Sequence, residues 1–401
     1  MKPCENVAPI YLDNHATTPC DSRVVAAMLP TFSESFGNAA SRQHGFGRAA
    51  SALVEAGRER VARLIGATSR EIVFTSGATE SNNLAIKGVA CASATAGRHI
   101  VTTRIEHRAV LDTCATLERQ GFRVTYVGVS ADGVLDVDEI ADAIVDDTVL
   151  VSVMYANNEI GTVQPIGEIG AVAKKRGVIF HCDAVQALPH LACDVQALGI
   201  DLLSMSAHKM YGPKGVGALY VRRRQPHVRL SPQIDGGGHE RGVRSGTSNV
   251  AGIVGLGVAC ELVAAEREAD GARLRALRDR LHTRIADAVP DVRVNGSMER
   301  RLPNNLNLSF TGLRSDAILH QLEDVAVSSG SACSSASTDE SYVLQSLGGE
   351  RHQHASLRFG LGRFTTEKEV DRASAHVVEA VARARRAGTG SLSDVCDGGG
   401  H

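Results

Sequence analysis

The stretch TVLVSVMYANNEIGTVQPIGEIGAVAKKRGVIFHCDA, residues 148–184, decides the fold. TVLVSVMYA (148–156) is a nearly unbroken apolar run of strand length, which predicts a strand buried on both faces. IGEIGAVAKKRG repeats its apolar residues at helical spacing, and VIFHCDA (178–184) is a second buried strand. Strand, helix and strand at this spacing form a βαβ unit, which places the two strands parallel in one sheet.

The alternation extends in both directions. Upstream lie the strand EIVFTS (71–76), the helix TESNNLAIKGVA, the strand HIVTT (99–103), the helix HRAVLDTCATLERQ, the strand RVTYVGV (123–129) and the helix VDEIADAI. Downstream, the strand-like runs DLLSMSA and VGALYVRR flank HKMYGPKG, a loop by its glycine and proline content. The predicted class is α/β, a mainly parallel sheet with helices on both faces. Near residue 250 the character changes to a long alanine-rich helix or bent pair, then the strands VRVNG, NLNLSF, VAVSSGS and SLRFGLG and a closing helix. We therefore expect an N-terminal arm (1–20) that joins the smaller domain, a large domain (21–255), a small α+β domain (256–388) and a flexible tail (389–401).

Composition narrows the function. The 401 residues suffice for two or three domains, and 43% hydrophobic with 22% charged residues is ordinary for a soluble globular protein. A net charge of −2 argues against a broad nucleic-acid or membrane surface, and with no tryptophan and 4% aromatics there is little to stack bases on. Nine scattered cysteines without a CxxC pair form neither a disulfide framework nor a zinc site. MKPCENVAPIYLDN lacks a signal-peptide core and no apolar run reaches membrane-spanning length, so the expected location is the reducing cytoplasm.

Ligands of open parallel sheets bind beyond the carboxyl ends of the strands, so the residues just past each strand are informative. There stand Ser76-Gly77-Ala78-Thr79, Glu106-His107, Asn157-Asn158, Asp183 with Gln186, and Ser206-Ala207-His208-Lys209. Each has an ordinary explanation alone: a helix cap, a surface histidine, a polar turn, a solvated lysine. Together they would meet at one sheet edge with the inventory that pyridoxal phosphate requires. A lysine forms the Schiff base, an acid pairs with the ring nitrogen, hydroxyls and a helix N-terminus take the phosphate, and a flat side chain covers the ring. SSGSACSSAS (328–337) adds a lone thiol, Cys333, among small residues that do not pack around it.

YLDNHATTP, EIVFTSGATESNNLAIKG, EHRAVLDTC, NNEIGTVQPI, SAHKMYGPKGVGALYVRR, GGGHERGVRSGT, SSGSACSSAS and LRFGLGRFT, in that order from about residue 10 to about 385, resemble the cysteine desulfurases. These are pyridoxal-phosphate enzymes of the class V aminotransferase family, and the serine-rich segment is similar to the longer-loop IscS/NifS type. The resemblance implies the type I fold of such enzymes, a large domain with a mainly parallel sheet and a smaller α+β domain. Lys209 would carry the cofactor, Asp183 would pair with its ring nitrogen, and Gln186 would bond its phenolic oxygen with Asn158 close by. His107 would stack on the ring and move protons, while Ala78, Thr79, Ser206 and His208 would hold the phosphate. Thr247 would reach the phosphate of the other subunit of a homodimer. Asn38 and Arg358 would bind the carboxylate of L-cysteine, and Cys333 would take its sulfur as a persulfide, leaving L-alanine. The sulfur would pass to a protein acceptor, an iron–sulfur scaffold or another carrier.

Some features depart from the family pattern. Ala39 replaces a common proline and is expected to loosen the Asn38 loop. The tail after about residue 388 differs from the segment by which housekeeping desulfurases dock their scaffold. Cys182 neighbours Asp183 and should point to the opposite face as packing. His352 and His354 lack a supporting cluster, so no metal is expected. Two alternatives stay open: a selenocysteine or other β-elimination lyase on the same scaffold, and a dimeric interaction module with a vestigial pocket.

Overall fold

The structure, a computed structural model, describes residues 8–329, 341–348 and 354–390. The chain divides into two compact units. One holds residues 17–158 and 162–268, and the other holds the described residues of 1–16, 159–161 and 269–401.

The strands in chain order are β1 Ile10–Tyr11, β2 Ile72–Thr75, β3 His99–Thr103, β4 Arg123–Val127, β5 Thr148–Met154, β6 Ile179–Asp183, β7 Leu202–Ser206, β8 Gly217–Val221, β9 Val292–Val294, β10 Asn305–Phe310, β11 Val325–Ala326 and β12 Ala355–Gly360. The larger unit is built on a seven-stranded sheet of order β2-β8-β7-β6-β5-β3-β4. β8 pairs antiparallel with both neighbours and every other pairing is parallel, so six strands share one direction. Their carboxyl ends therefore lie along one edge.

Two-faced burial explains why these strands are mostly apolar on both faces. Ile72, Phe74, Val101, Val151, Val153, Phe180, Cys182, Leu203, Met205 and Ala218 face one core. Val73, Ile100, Leu150, Leu202 and Leu219 face the other, against helices Ala78–Ala92 and Arg108–Arg119. Cys182 belongs to the first core, so Asp183, one residue on, turns to the second. The long alanine-rich segment is a single helix, Val250–Ala288.

In the smaller unit β12, β10 and β9 form an antiparallel sheet. Leu306, Leu308 and Phe310 of β10 pack with Leu357, Phe359, Leu281, Ile285, Val370 and Val377. The alternate residues carry a buried polar ladder: Asn295 Nδ2 donates to Asn307 Oδ1 (2.8 Å) and Ser309 Oγ (2.7 Å). Of VAVSSGS, Val325 and Ala326 form β11, which pairs in parallel with β1. Among the described residues no helix is long and apolar enough to cross a membrane.

Buried Arg222, just after β8, fastens the sheet to the turn before β7. Its Nη2 donates to the carbonyls of Val195 (3.0 Å) and Ile200 (2.8 Å), its Nη1 to Gln196 Oε1 (2.5 Å), and its Nε lies 2.8 Å from Asp201 Oδ1. Arg222→Ala strands a buried carboxylate and two carbonyls. A loss of about 3–5 kcal/mol is expected in chemical denaturation of the purified protein; a loss below about 1 kcal/mol would show that the cluster is not needed.

Candidate active site

Lys209 stands just past β7, at the end of the short turn Ala207–Lys209. The turn is braced from below by the HATTP segment. Thr18 donates to the His208 carbonyl through its hydroxyl (3.0 Å) and its amide (3.0 Å), and the Thr18 hydroxyl accepts the Tyr211 amide (3.0 Å). His208 Nδ1 lies 3.1 Å from the Thr17 hydroxyl. Burial, reinforced by Lys209 and Lys214, pushes His208 down to about 4, so the ring is neutral.

Asp183 ends β6, 6% exposed. Its Oδ2 accepts from Asn82 Nδ2 (2.7 Å) and its Oδ1 from the Val185 amide (3.1 Å). Asn82 is on the helix that opens at Ala78, so the carboxylate is oriented from a neighbouring element. His107 caps the helix Arg108–Arg119, its Nδ1 accepting the Ala109 amide (3.1 Å). The capping bond leaves the neutral ring's proton on Nε2. Burial holds the His107 pKa down, opposed by Asp183 and reinforced by Lys209, so these three groups act on one another. Asn158 and Gln186, 6% and 9% exposed, complete the sequence-predicted set past β5 and β6.

Past β2, Gly77 caps the helix Ala78–Ala92 without a side-chain bond, at φ +152°. Glu80 reaches back to the Ser76 amide (2.8 Å) and is held by Arg244 Nε (2.8 Å). The amides of Ala78 and Thr79 make no hydrogen bond to a described residue, so a first helical turn of donors opens outward. The approach is close: a Cβ at Gly217 would stand 2.8 Å from the Gly77 Cα, and one at Gly77 would stand 3.8 Å from Ser206 Oγ. Thr79 and His107 line the same cleft of about 370 Å³ with Asn83, Arg108 and Thr113. This donor set suits pyridoxal phosphate, with open amides and neutral His208 for the phosphate, an oriented carboxylate for the ring nitrogen, and a lysine whose charge acts on both His107 and His208.

Three further positions complete the comparison with expectation. Thr247 is exposed and rims a small cavity with Ser76 and Gly246, on a loop tied down by Arg58–Glu240 (2.6 Å) and Arg244–Glu80. Asn38 is exposed, its Oδ1 accepting the Ala40 amide (2.9 Å). Ala39 packs on the main core, and a Cβ at Gly47 would stand 1.8 Å from the Ser41 carbonyl, so the loop is clamped to helix Gly45–Leu64 where a loosened one was expected. Arg358, on β12 of the smaller unit, is 1% exposed and paired with Asp13 (3.0 Å). Cys333 and His352 lie outside the described residues.

Sequence reasoning missed Thr17, Thr18 and Asn82, and found Glu106 by its position without seeing its protonation state. The first three sit in motifs that the sequence offered, HATTP and ESNN, but their roles depend on side chains meeting across 100–190 residues. Glu106 is fully buried beside His107. Burial pushes its carboxyl up to about 8; Asp183 adds to the shift, while the Met154 amide (2.8 Å) and the Thr103 hydroxyl (2.9 Å) oppose it. Glu106 is therefore neutral at pH 7.

Two outcomes follow from this geometry. From the ordinary 4.5 up to about 8, folded Glu106 keeps a proton that the unfolded chain has lost, so its contribution to stability is full below 4.5 and declines as pH rises to about 8. Glu106→Gln should gain stability relative to wild type between pH 5 and pH 8.5 in urea unfolding; a pH-independent difference would refute the shift. Gly217→Ala forces a Cβ to within 2.5 Å of the Met205 carbonyl and against Gly77. It should weaken retention of pyridoxal phosphate by about tenfold or more in equilibrium dialysis, equivalent to about 1.4 kcal/mol.

The model of the class-V aminotransferase family matches residues 10–373. Cysteine desulfurase IscS of Anaeromyxobacter dehalogenans is 57% identical over 364 residues, 90% of each chain. A solved NifS-like protein superposes with a TM-score of 0.87 at 37% identity, covering 94% of this chain and all of the other. The structure described as SspA in complex with cysteine gives 0.78 at 38% identity, covering 89% of this chain and all of that one. The chain thus belongs to the class-V aminotransferases and, within them, to the pyridoxal-phosphate-dependent cysteine desulfurases of the IscS/NifS type.

Proposed function

We propose that the protein converts L-cysteine to L-alanine and captures the sulfur as a persulfide on Cys333, for iron–sulfur cluster assembly or another sulfur transfer. The observation that carries this reading is the convergence of Lys209, Asp183 and His107 beside an open helix N-terminus at one sheet edge. Bound pyridoxal phosphate supplies an electron sink for charge that develops beside the amino-bearing carbon.

The chain's own residues do the rest. Lys209 would hold the cofactor through Nζ and would move a proton at that atom. Asp183, oriented by Asn82, would hold the ring nitrogen protonated, and Gln186 would bond the phenolic oxygen beside Asn158. Ala78 and Thr79 amides, the Ser206 hydroxyl and neutral His208 hold the phosphate. His107 covers the ring and accepts or returns a proton at Nε2. Asn38 and Arg358 take the substrate carboxylate, the arginine for its planar, doubly hydrogen-bonding fork.

Sulfur transfer is then a displacement at sulfur. The Cys333 thiolate attacks the substrate's sulfur, an S–S bond forms and the Cβ–S bond breaks. The electron pair leaves with carbon, which is protonated and released as L-alanine. A free thiol has a pKa near ~8.5, so a nearby base such as His107 or the substrate amine must raise the thiolate fraction. Small residues around Cys333 suit an arm that visits the cofactor and then a separate acceptor. We assign the cofactor to a large domain (21–255) and the Cys333 arm to a small one (256–388), in a cytoplasmic homodimer in which Thr247 reaches the other subunit's phosphate. Exposure of Thr247 on a tied-down loop supports that assignment.

Incubation of the cofactor-loaded protein with L-cysteine and a reductant tests the reading. Wild type should release alanine and sulfide in equal amounts. Cys333→Ser should keep the visible absorbance of the lysine-bound cofactor and lose sulfide release, whereas Lys209→Ala should lose both. Sulfide release that survives in Cys333→Ser would remove the persulfide step, and retained turnover of selenocysteine alone would favour the lyase.

A further inference from the structure

Arg358 heads the fully buried side chains of the described residues by volume, and a buried guanidinium has to be hydrogen-bonded to be tolerated. Its Nη2 donates to Asp13 Oδ1 (3.0 Å) and to Ser328 Oγ (2.7 Å), and the Ser328 hydroxyl donates in turn to the same Asp13 oxygen (2.5 Å). The three polar groups close a ring. Their backbones are equally fixed. Ser328 and Arg358 exchange bonds across an isolated bridge, Arg358 N to Ser328 O at 2.7 Å and Ser328 N to Arg358 O at 3.4 Å. The arm segment 12–14 lies along the end of β12 through Gly360 N to Leu12 O (2.6 Å), Asn14 N to Gly360 O (3.0 Å) and Asn14 Nδ2 to Gly360 O (2.8 Å). A Cβ at Gly360 would stand 2.7 Å from the His15 amide nitrogen, so only glycine admits the arm here.

We propose that Asp13, bridged by Ser328, is a positioning residue that presets the Arg358 fork for the substrate carboxylate. The proposal rests on the assignment of Arg358 to that carboxylate. Arginine loses several rotatable bonds' freedom when it binds, and a guanidinium already held through Nη2 has paid most of that cost before substrate arrives. The negative charge of Asp13 itself opposes an incoming carboxylate. The useful part of Asp13 is therefore its acceptor oxygen, and an isosteric amide should replace it.

The test measures three quantities on cofactor-loaded enzyme: KM and kcat for L-cysteine, equilibrium binding of L-alanine read from cofactor absorbance, and binding of cysteamine, which lacks the carboxylate. Asp13→Ala should raise the L-cysteine KM and weaken L-alanine binding by about tenfold, with kcat changed by less than about threefold and cysteamine binding unchanged. Ser328→Ala, a smaller deletion, should move the same quantities in the same direction and stands in if Asp13→Ala does not fold. Asp13→Asn should recover L-alanine binding to within about threefold of wild type, or improve on it. Equal weakening of cysteamine, unchanged L-alanine binding, or an Asp13→Asn as weak as Asp13→Ala would overturn the proposal. Arg358→Gln separates the two levels: if it binds L-alanine as well as wild type, the assignment of Arg358 itself fails. If it loses L-alanine while Asp13→Ala does not, only the role of Asp13 fails.

Discussion

Shared strand direction is the constraint on which the site depends. Six of the seven strands in the large sheet run the same way, so β2, β3, β5, β6 and β7 deliver their following turns to one edge. Both faces of that sheet are covered, and the polar side chains inside it, such as Ser152, His181 and Ser204, hydrogen-bond to one another. The candidate site residues stand at or just past those strand ends: Ser76–Thr79, Glu106-His107, Asn158, Asp183 and Ser206–Lys209.

Neighbouring elements then orient these groups. Asn82 aims Asp183, Thr17 and Thr18 brace the turn that carries His208 and Lys209, and the Ala109 amide selects the tautomer of His107. Burial does the electrostatic work. It keeps His107 and His208 neutral and Glu106 protonated at pH 7, beside Asp183 and Lys209. The same low dielectric that would make unpaired groups costly makes each remaining charge effective.

The smaller unit solves a different problem. Its buried Arg358 is tolerable because residues 12–14 lie against the end of β12 and Asp13 supplies an acceptor. Ser328 belongs both to this ring of hydrogen bonds and to the SSGSACSSAS segment, so Arg358 and the start of that segment share one anchor.

Local pattern was enough for much of this. The period of apolar residues from 71 to 221 determined a mainly parallel α/β sheet, because helices and doubly buried strands repeat differently and neither pattern survives in the other's place. Position after a strand picked out His107, Asp183, His208 and Lys209, since the sheet rule needs only order along the chain. Residues whose purpose is a contact were not legible. Asn82 meets Asp183 across 101 positions, Thr17 meets His208 across 191, and Asp13 meets Arg358 across 345. Nothing local distinguishes such an asparagine, threonine or aspartate from a surface one. Their roles, the neutral state of Glu106 and the clamped Asn38 loop were decided only by the tertiary structure, because hydrogen-bond geometry and burial are properties of neighbours in space, which chain order does not encode locally.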